Sequence, residues 1–442
     1  MMTMPRMRTV ATRFSGRSFV GGLLIIAVGL GVGALSVGFS DLAIPVAVAI
    51  LVVGLAAKDL SLIPALAAPA TLIVARVGGV LSVSDVVLVA ATIFALLMLR
   101  GRGGLDLQPL IWSGMSYLAL VVPTLILNPY AENTTEWLHE VFLVLGSMVV
   151  GFVVGREGKA ALSIGLYIVA CCGIGIVASM AAVVSFGQTG TFIPVYLGDL
   201  HKNTIGGMLA VAAVIAYARP LWLGWSARWS YLAVVVCGFG MLASQSRQGM
   251  IGALVGMLII SLRPFVLGRR RGKVIWFATV PVVAYVLYEV NAQLASGDQF
   301  NSAYQRLTWF GQSFGIWQNS PVFGVGLRWW YTDRFGEGFQ PPNAELEVLT
   351  TVGVVGLIGF LLMFASAAWL LAKLDPMYGT VGLAVLATRF TQAQFDLYWV
   401  AGQASLLWII AGVCYGVRAR DRAKAELPAR AAIRPVIPGR MP

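Results

Sequence analysis

The residues of this chain best suited to chemistry are arginines placed between apolar runs. Arg247 lies in SQSRQG (244–249), Arg306 in AYQRLTW (303–309), Arg328 in GLRWW (326–330) and Arg334 in YTDRFGEG (331–338). His201, Lys202 and Asn203 precede them; Asn343, Glu345 and Glu347 follow. A guanidinium is a planar fork of donors that matches phosphate oxygens. Several of them facing a membrane cavity could neutralise a phosphate or diphosphate. Arg328, beside Trp329 and Trp330, also fits an interfacial anchor, Arg306 a surface feature of an amphipathic helix, and Arg334 a solvated loop charge. Arg247 is hardest to explain as a surface residue, because apolar runs flank it on both sides.

Other chemistries find little support. The chain has two histidines, His139 and His201, which excludes a multi-histidine metal site. His139, in WLHEVF, reads as a helix-end or packing residue. The four cysteines, Cys171, Cys172, Cys237 and Cys414, fall in apolar runs without metal or disulfide spacing and read as small core residues. There is no GxxxxGK[ST] loop and no dinucleotide fingerprint. No metal and no cofactor is expected.

The elements that must position these residues are membrane helices. Of 442 residues, 58% are hydrophobic and 11% charged, with a mean hydropathy of +0.83. Backbone polar groups in lipid must be satisfied within each segment, and a spanning helix needs roughly 20 mostly apolar residues. Long continuous apolar runs argue against an outer-membrane barrel. The fold class is therefore an all-α polytopic membrane protein. Spans are predicted near residues 18–39, 42–57, 61–79, 83–99, 109–127, 138–155, 161–186, 204–222, 229–243, 249–267, 273–290, 344–372, 377–395 and 398–417, about 12 to 14 in all. No internal repeat is visible.

Charge orients the spans. The net charge is +12, but the basic residues sit in short clusters between apolar runs, so they predict membrane topology and no nucleic-acid partner. Arg6, Arg8, Arg13 and Arg17 precede the first span; Arg100 and Arg102, Arg156 and Lys159, Arg219 and Arg228, then Arg263 to Lys273 follow alternate spans. All fall on one side if both termini are cytoplasmic. Residues 1–17 then form a basic cytoplasmic leader with no clear cleavage site. Residues 18–290 carry the N-terminal spans, 291–343 an extracytoplasmic segment, 344–417 the C-terminal spans and 418–442 a disordered cytoplasmic tail. Arg247 falls on the outer face, against the charge bias. Within 291–343, Tyr304, Leu307, Phe310, Phe314 and Trp317 recur at helical spacing between polar residues, which predicts an amphipathic helix.

Four blocks in order carry a resemblance: LHKNTIGGMLAVAAV (200–214), LASQSRQGMIGALVGML (242–258), QRLTWFGQSFGIWQNSPVFGVGL (305–327) and PPNAELEVLTTVGVVGLIGFLL (341–362). Their pattern is Asn203 with Gly206; Ser246, Arg247 and Gly249; Arg306, then Ser320, Pro321, Gly324 and Gly326; and Asn343 with Gly353 and Gly356. It resembles the bacterial O-antigen ligase and O-antigen polymerase family across about residues 200–365. The resemblance implies a GT-C-type membrane glycosyltransferase of the cytoplasmic membrane. Such an enzyme passes a glycan from a polyprenyl-phosphate or polyprenyl-diphosphate carrier to the hydroxyl of a glycan or lipid acceptor at the outer face. It implies that Arg247 and Arg306 bind the diphosphate, with Arg328, Ser246 and Asn203 beside them. The family's His-Asn pair reads Pro342-Asn343 here, and Thr351 stands where an acid is frequent. Glu345, Glu347, His201 and Asp396 are the available substitutes for the histidine. Glu345, with Asn343 and His201, is expected to carry the catalytic role, although an acid at this position also suits a helix dipole. The competing expectations are a transporter or flippase for a lipid-linked anionic glycan, and a non-catalytic relative.

Overall fold

The computed structural model describes residues 54, 57–77, 81–99, 104–264, 274–295, 302–336, 338–399 and 402–432. The chain divides into two units, Met1–Leu60 and Ser61–Pro442. The basic leader and the span expected at 18–39 lie outside the described residues, as does nearly all of 42–57.

Among its described residues the second unit carries helices and one hairpin with two-residue strands, β1 (Arg76–Val77) and β2 (Leu81–Ser82), paired antiparallel with Arg76 opposite Ser82. The helices are α1 (Val83–Leu99), α2 (Gln108–Leu127), α3 (Ala131–Val141), α4 (Ser147–Arg156), α5 (Ala160–Thr189), α6 (Lys202–Ala218), α7 (Ala227–Ser244), α8 (Arg247–Leu262), α9 (Val274–Ala295), α10 (Ser302–Trp317), α11 (Ala344–Lys373), α12 (Pro376–Ala393) and α13 (Gln403–Ala432). A π turn over Phe142–Gly146 joins α3 to α4. Among the described residues, five segments are long and apolar enough to cross a membrane: Gly104–Leu127, Ala131–Arg156, Ala160–Thr189, Ala227–Ser244 and Ala344–Lys373. Helices α1, α6 and α8 are shorter and apolar. On the longer segments, Ile126 of α2, Val183 of α5 and Phe239 of α7 stand largely exposed, as lipid-facing positions do.

Small residues set the closest helix contacts. Gly151 and Gly155 of α4 face Gly412 and Gly416 of α13. A Cβ at Gly155 would lie 2.5 Å from the Val413 carbonyl oxygen, and one at Gly412 would overlap that of Met148. Two Gly-x-x-x-Gly stripes thus meet, and backbone approach replaces the hydrophobic force that lipid does not supply.

Helix α11 is interrupted. Gly353 has φ 68° and ψ −167°, a region essentially reserved for glycine. The loop after α10 fills the break. The amides of Val325 and Gly326 donate to the Thr350 and Thr351 carbonyls at 3.0 and 2.9 Å, and those of Val354 and Val355 donate to Pro321 and Val322 at 3.0 and 3.1 Å. Irregular backbone among apolar helices must be satisfied by protein. This is the physical content of the Ser-Pro-x-x-Gly-x-Gly block: it is the complement of a broken helix.

Three expectations change. The span read at 61–79 is not one helix; Leu62–Ala65 and Ala67–Ala70 are single turns that lead into the hairpin. The polar stretch 128–137, between the spans predicted at 109–127 and 138–155, is largely α3; its Asn133 and Glu136 are buried, as is Glu140 one turn on, while Glu132, Thr134 and Thr135 are exposed. The segment read as a disordered tail continues α13 to Ala432, where alanines and alternating charges favour helix; Arg422 pairs with Asp106 at 3.6 Å.

The amphipathic helix expected near 302–317 is α10, and its polarity runs inside out. Leu307, Phe310 and Phe314 are exposed, while Ser313 is buried and Arg306 half-buried. Leu307, Phe310 and Phe314 turn away from the protein, whereas Arg306 turns towards it, as does the buried Ile316, which packs on Val325 and Trp329.

Candidate functional site

The N-termini of α6 and α8 meet through their motif glycines. A Cβ at Gly206 would overlap Ser246, and one at Gly249 would lie 2.6 Å from the Gly206 carbonyl oxygen. This contact sets Asn203 and Arg247, each at its own helix start, side by side. Both starts are capped. The Ser246 hydroxyl, fully buried, accepts from the Gly249 amide at 3.3 Å, and His201 Nδ1 accepts from the Asn203 amide at 3.3 Å. Ser246 and His201 therefore hold backbone as well as standing in the site.

Lys202, Arg247 and Arg306 are within electrostatic reach of one another. Burial, then the charges of Arg247 and Arg306, pushes the Lys202 ammonium below its ordinary value. Burial also lowers Arg306; Asp396 opposes this and Arg247 adds to it. Cations that depress one another in a half-buried place create a site for an anion. Asp396 is the local counter-charge. It accepts from Gln248 Nε2 at 2.8 Å, and the same Nε2 reaches the Asn203 carbonyl at 3.3 Å.

Asn343 and Glu345 approach this place from α11. The Asn343 side chain caps the helix by accepting from the Leu346 amide at 2.9 Å, and its Nδ2 donates to the Gln394 carbonyl at 3.1 Å. Glu345 accepts from Gln394 Nε2 at 2.5 Å, and its second oxygen is buried with no hydrogen bond. Both therefore rest on the segment that carries Asp396 two residues later.

Arg328 stands in a different group. It pairs with Glu136 in a backbone conformation with φ 53°, uncommon for a residue other than glycine. Glu136 also touches His139 Nδ1 at 3.3 Å, and His139 Nε2 lies 3.1 Å from Asp85. Asp85 is fixed in turn by the Ser82 amide and hydroxyl, at 2.9 and 2.7 Å. Behind this chain, Glu140 accepts from the Tyr117 hydroxyl at 3.2 Å and Glu347 from Gln340 Nε2 at 2.8 Å. Each of these two buried carboxyls keeps one oxygen without a hydrogen bond. A buried ionised carboxylate is costly unless paired, so each requires a proton or a cation.

The Asp85–His139–Glu136–Arg328 chain lines a cavity of about 490 Å³ with Trp330 and Tyr331. Asp199, Thr204 and Leu397 also line it; Thr204 and Leu397 directly follow Asn203 and Asp396. The structure thus brings Asn203, Ser246, Arg247 and Arg306 together with His201, sets Asn343 and Glu345 on the neighbouring segment, and gives Arg328 its own acidic partner on the cavity wall. Sequence reasoning missed Asp85, Glu136 and Glu140 and read His139 as packing. The available signal was the spacing of Glu136, His139 and Glu140, which places them on one helical face, beside an apolar run where ionisable residues are rarely idle.

No protein-family model matches the chain, and no characterised protein matches it. The likeness to the O-antigen ligase and polymerase family rests on the four sequence blocks.

Proposed function

We propose that the chain is a GT-C-type membrane glycosyltransferase, a polysaccharide ligase or polymerase. It would transfer a glycan from a polyprenyl-phosphate or polyprenyl-diphosphate donor to an acceptor hydroxyl at the outer face of a bacterial cytoplasmic membrane. The observation that carries this reading is the gathering of Lys202, Arg247 and Arg306 at two abutting helix starts. In transfer, the bond from the sugar's anomeric carbon to the carrier phosphate breaks as the acceptor oxygen bonds to that carbon. The phosphate gains negative charge, and fixed cations in a water-poor place stabilise that charge as it develops. The acceptor proton passes to a carboxylate. Glu345, with an open oxygen and Asn343 beside it, is the candidate base. The helix starts supply further positive potential to the anion.

A second reading has its own support. Glu140 and Glu347, buried without a cation bonded to them, suit proton-linked transport of a lipid-linked anionic glycan. One experiment separates the two. The purified full chain in liposomes is given a labelled polyprenyl-diphosphate glycan and an acceptor. Free polyprenyl diphosphate and glycosylated acceptor are expected. Movement of intact donor across the bilayer without either product would replace the first reading with the second.

A further inference from the structure

We infer that the cavity beside Trp330 binds an uncharged sugar unit. This inference rests on the proposed glycosyl transfer only in treating that sugar as a reaction partner. Of the cavity's lining residues, only Thr204 lies within the four sequence blocks; Arg328 and Gln340 lie one residue beyond block edges.

Size comes first. A volume of about 490 Å³ falls within the ~300–1,000 Å³ range of small-molecule sites and suits a short oligosaccharide; the charged and polar lining, not the volume, argues against a lipid tail. The wall chemistry fits sugar. Trp330 and Tyr331 offer aromatic faces for the C–H side of a pyranose. Asp85, Glu136, Arg328 and Gln340 offer fixed acceptors and donors for its hydroxyls. These groups are held in advance: His139 bridges Asp85 and Glu136, Arg328 locks Glu136, and the Ser82 amide holds Asp85. Polar groups fixed before binding lose little entropy when a ligand arrives.

Charge then selects among sugars. The side chains on the wall that titrate in the acid or neutral range or carry a fixed charge are three carboxylates, Asp85, Glu136 and Asp199, against two guanidiniums, Arg76 and Arg328, and the His139 imidazole; a phenol, as on Tyr331, is neutral in that range. Such a balanced wall offers a uronic acid no net attraction. It would also break the Arg328–Glu136 and His139–Asp85 pairs, leaving a charge uncompensated. The anion-binding role stays with Lys202, Arg247 and Arg306; Thr204 and Leu397, which directly follow Asn203 and Asp396, mark where cation site and cavity adjoin.

The test is calorimetric titration of the full chain in nanodiscs with neutral hexose tetrasaccharides and their uronic-acid counterparts. Undecaprenyl diphosphate is titrated separately. Neutral sugars are expected to bind and acidic ones at least about tenfold more weakly. Trp330→Ala should weaken neutral-sugar binding by about tenfold or more, and Trp330→Phe much less. Gln340→Ala is a second variant on the same wall, expected to weaken sugar binding while undecaprenyl diphosphate binding stays unchanged. Absence of neutral-sugar binding, equal binding of acidic sugars, or indifference to both Trp330→Ala and Gln340→Ala overturns the inference. If neutral sugars bind as described while undecaprenyl diphosphate does not bind, the inference stands and the donor reading falls.

Discussion

Gly353→Ala tests how the loop and the broken helix hold each other. At φ 68° and ψ −167°, a Cβ adds about 1–3 kcal/mol of backbone strain. The same Cβ would overlap the Val322 carbonyl group and lie 2.5 Å from the Phe323 amide nitrogen, so the loop must withdraw. Four backbone hydrogen bonds cross this seam, and losing one costs about 1 kcal/mol. The expected loss is roughly 2–4 kcal/mol, or about 30- to 700-fold in the folding equilibrium. Gly311→Ala is the control. Gly311 lies within α10 and a Cβ there meets nothing within 4 Å, so alanine should gain up to about 1 kcal/mol through helix propensity. Equilibrium unfolding in mixed detergent micelles, followed by tryptophan fluorescence, reads both. Equal stability of Gly353→Ala and wild type would refute the account of the break as a glycine-specific seam.

Other outcomes follow from the same packing and electrostatics. Gly412→Ala should separate α4 from α13 and cost about 1–3 kcal/mol by the same unfolding measurement, because its Cβ overlaps Met148 and lies 2.8 Å from the Phe152 amide nitrogen. Glu345→Gln should slow transfer by about 100-fold or more while donor binding, measured by titration, is kept; full activity would remove Glu345 as base. His201 gives a pH signature. Its partial burial and neighbouring Lys202 hold the imidazole below its ordinary value, with Asp396 opposing. The folded chain therefore binds fewer protons here than the unfolded chain. The stability this confers is present above the unfolded value of about 6.5 and is lost as pH falls through the lower folded value. His201→Gln should flatten that limb of the stability–pH profile slightly, the ring being largely exposed; an unchanged slope would contradict it.

Most helices from residue 83 onward were legible as apolar runs, because a span must satisfy its own backbone. The capping roles of Ser246 and Asn343 follow from residue types that suit helix starts. What escaped reading depends on packing. Helix α3 falls mostly outside the predicted spans because it is polar; its Asn133, Glu136 and Glu140 nonetheless face the protein interior, and hydropathy cannot tell an inward carboxylate from a solvated one. The break at Gly353 sits in an unbroken apolar run, and only the loop at 321–326 shows why the run cannot be one helix. The His139–Asp85 contact joins residues 54 positions apart, a distance no local motif spans. The meeting of Asn203 with Arg247 was half visible: the two glycines were in the pattern, but their use as mutual clearance needs both helices in place.

The central claim is that the cations at the starts of α6 and α8, with Arg306 from α10, hold the carrier phosphate during glycosyl transfer. Steady-state transfer from a polyprenyl-diphosphate glycan by the purified full chain, compared with Arg247→Ala and Arg306→Ala, tests it most directly. The account predicts a fall in kcat of about 100- to 1,000-fold in each variant, with neutral-sugar binding at the Trp330 cavity unchanged. Transfer at the wild-type rate in both variants would contradict it.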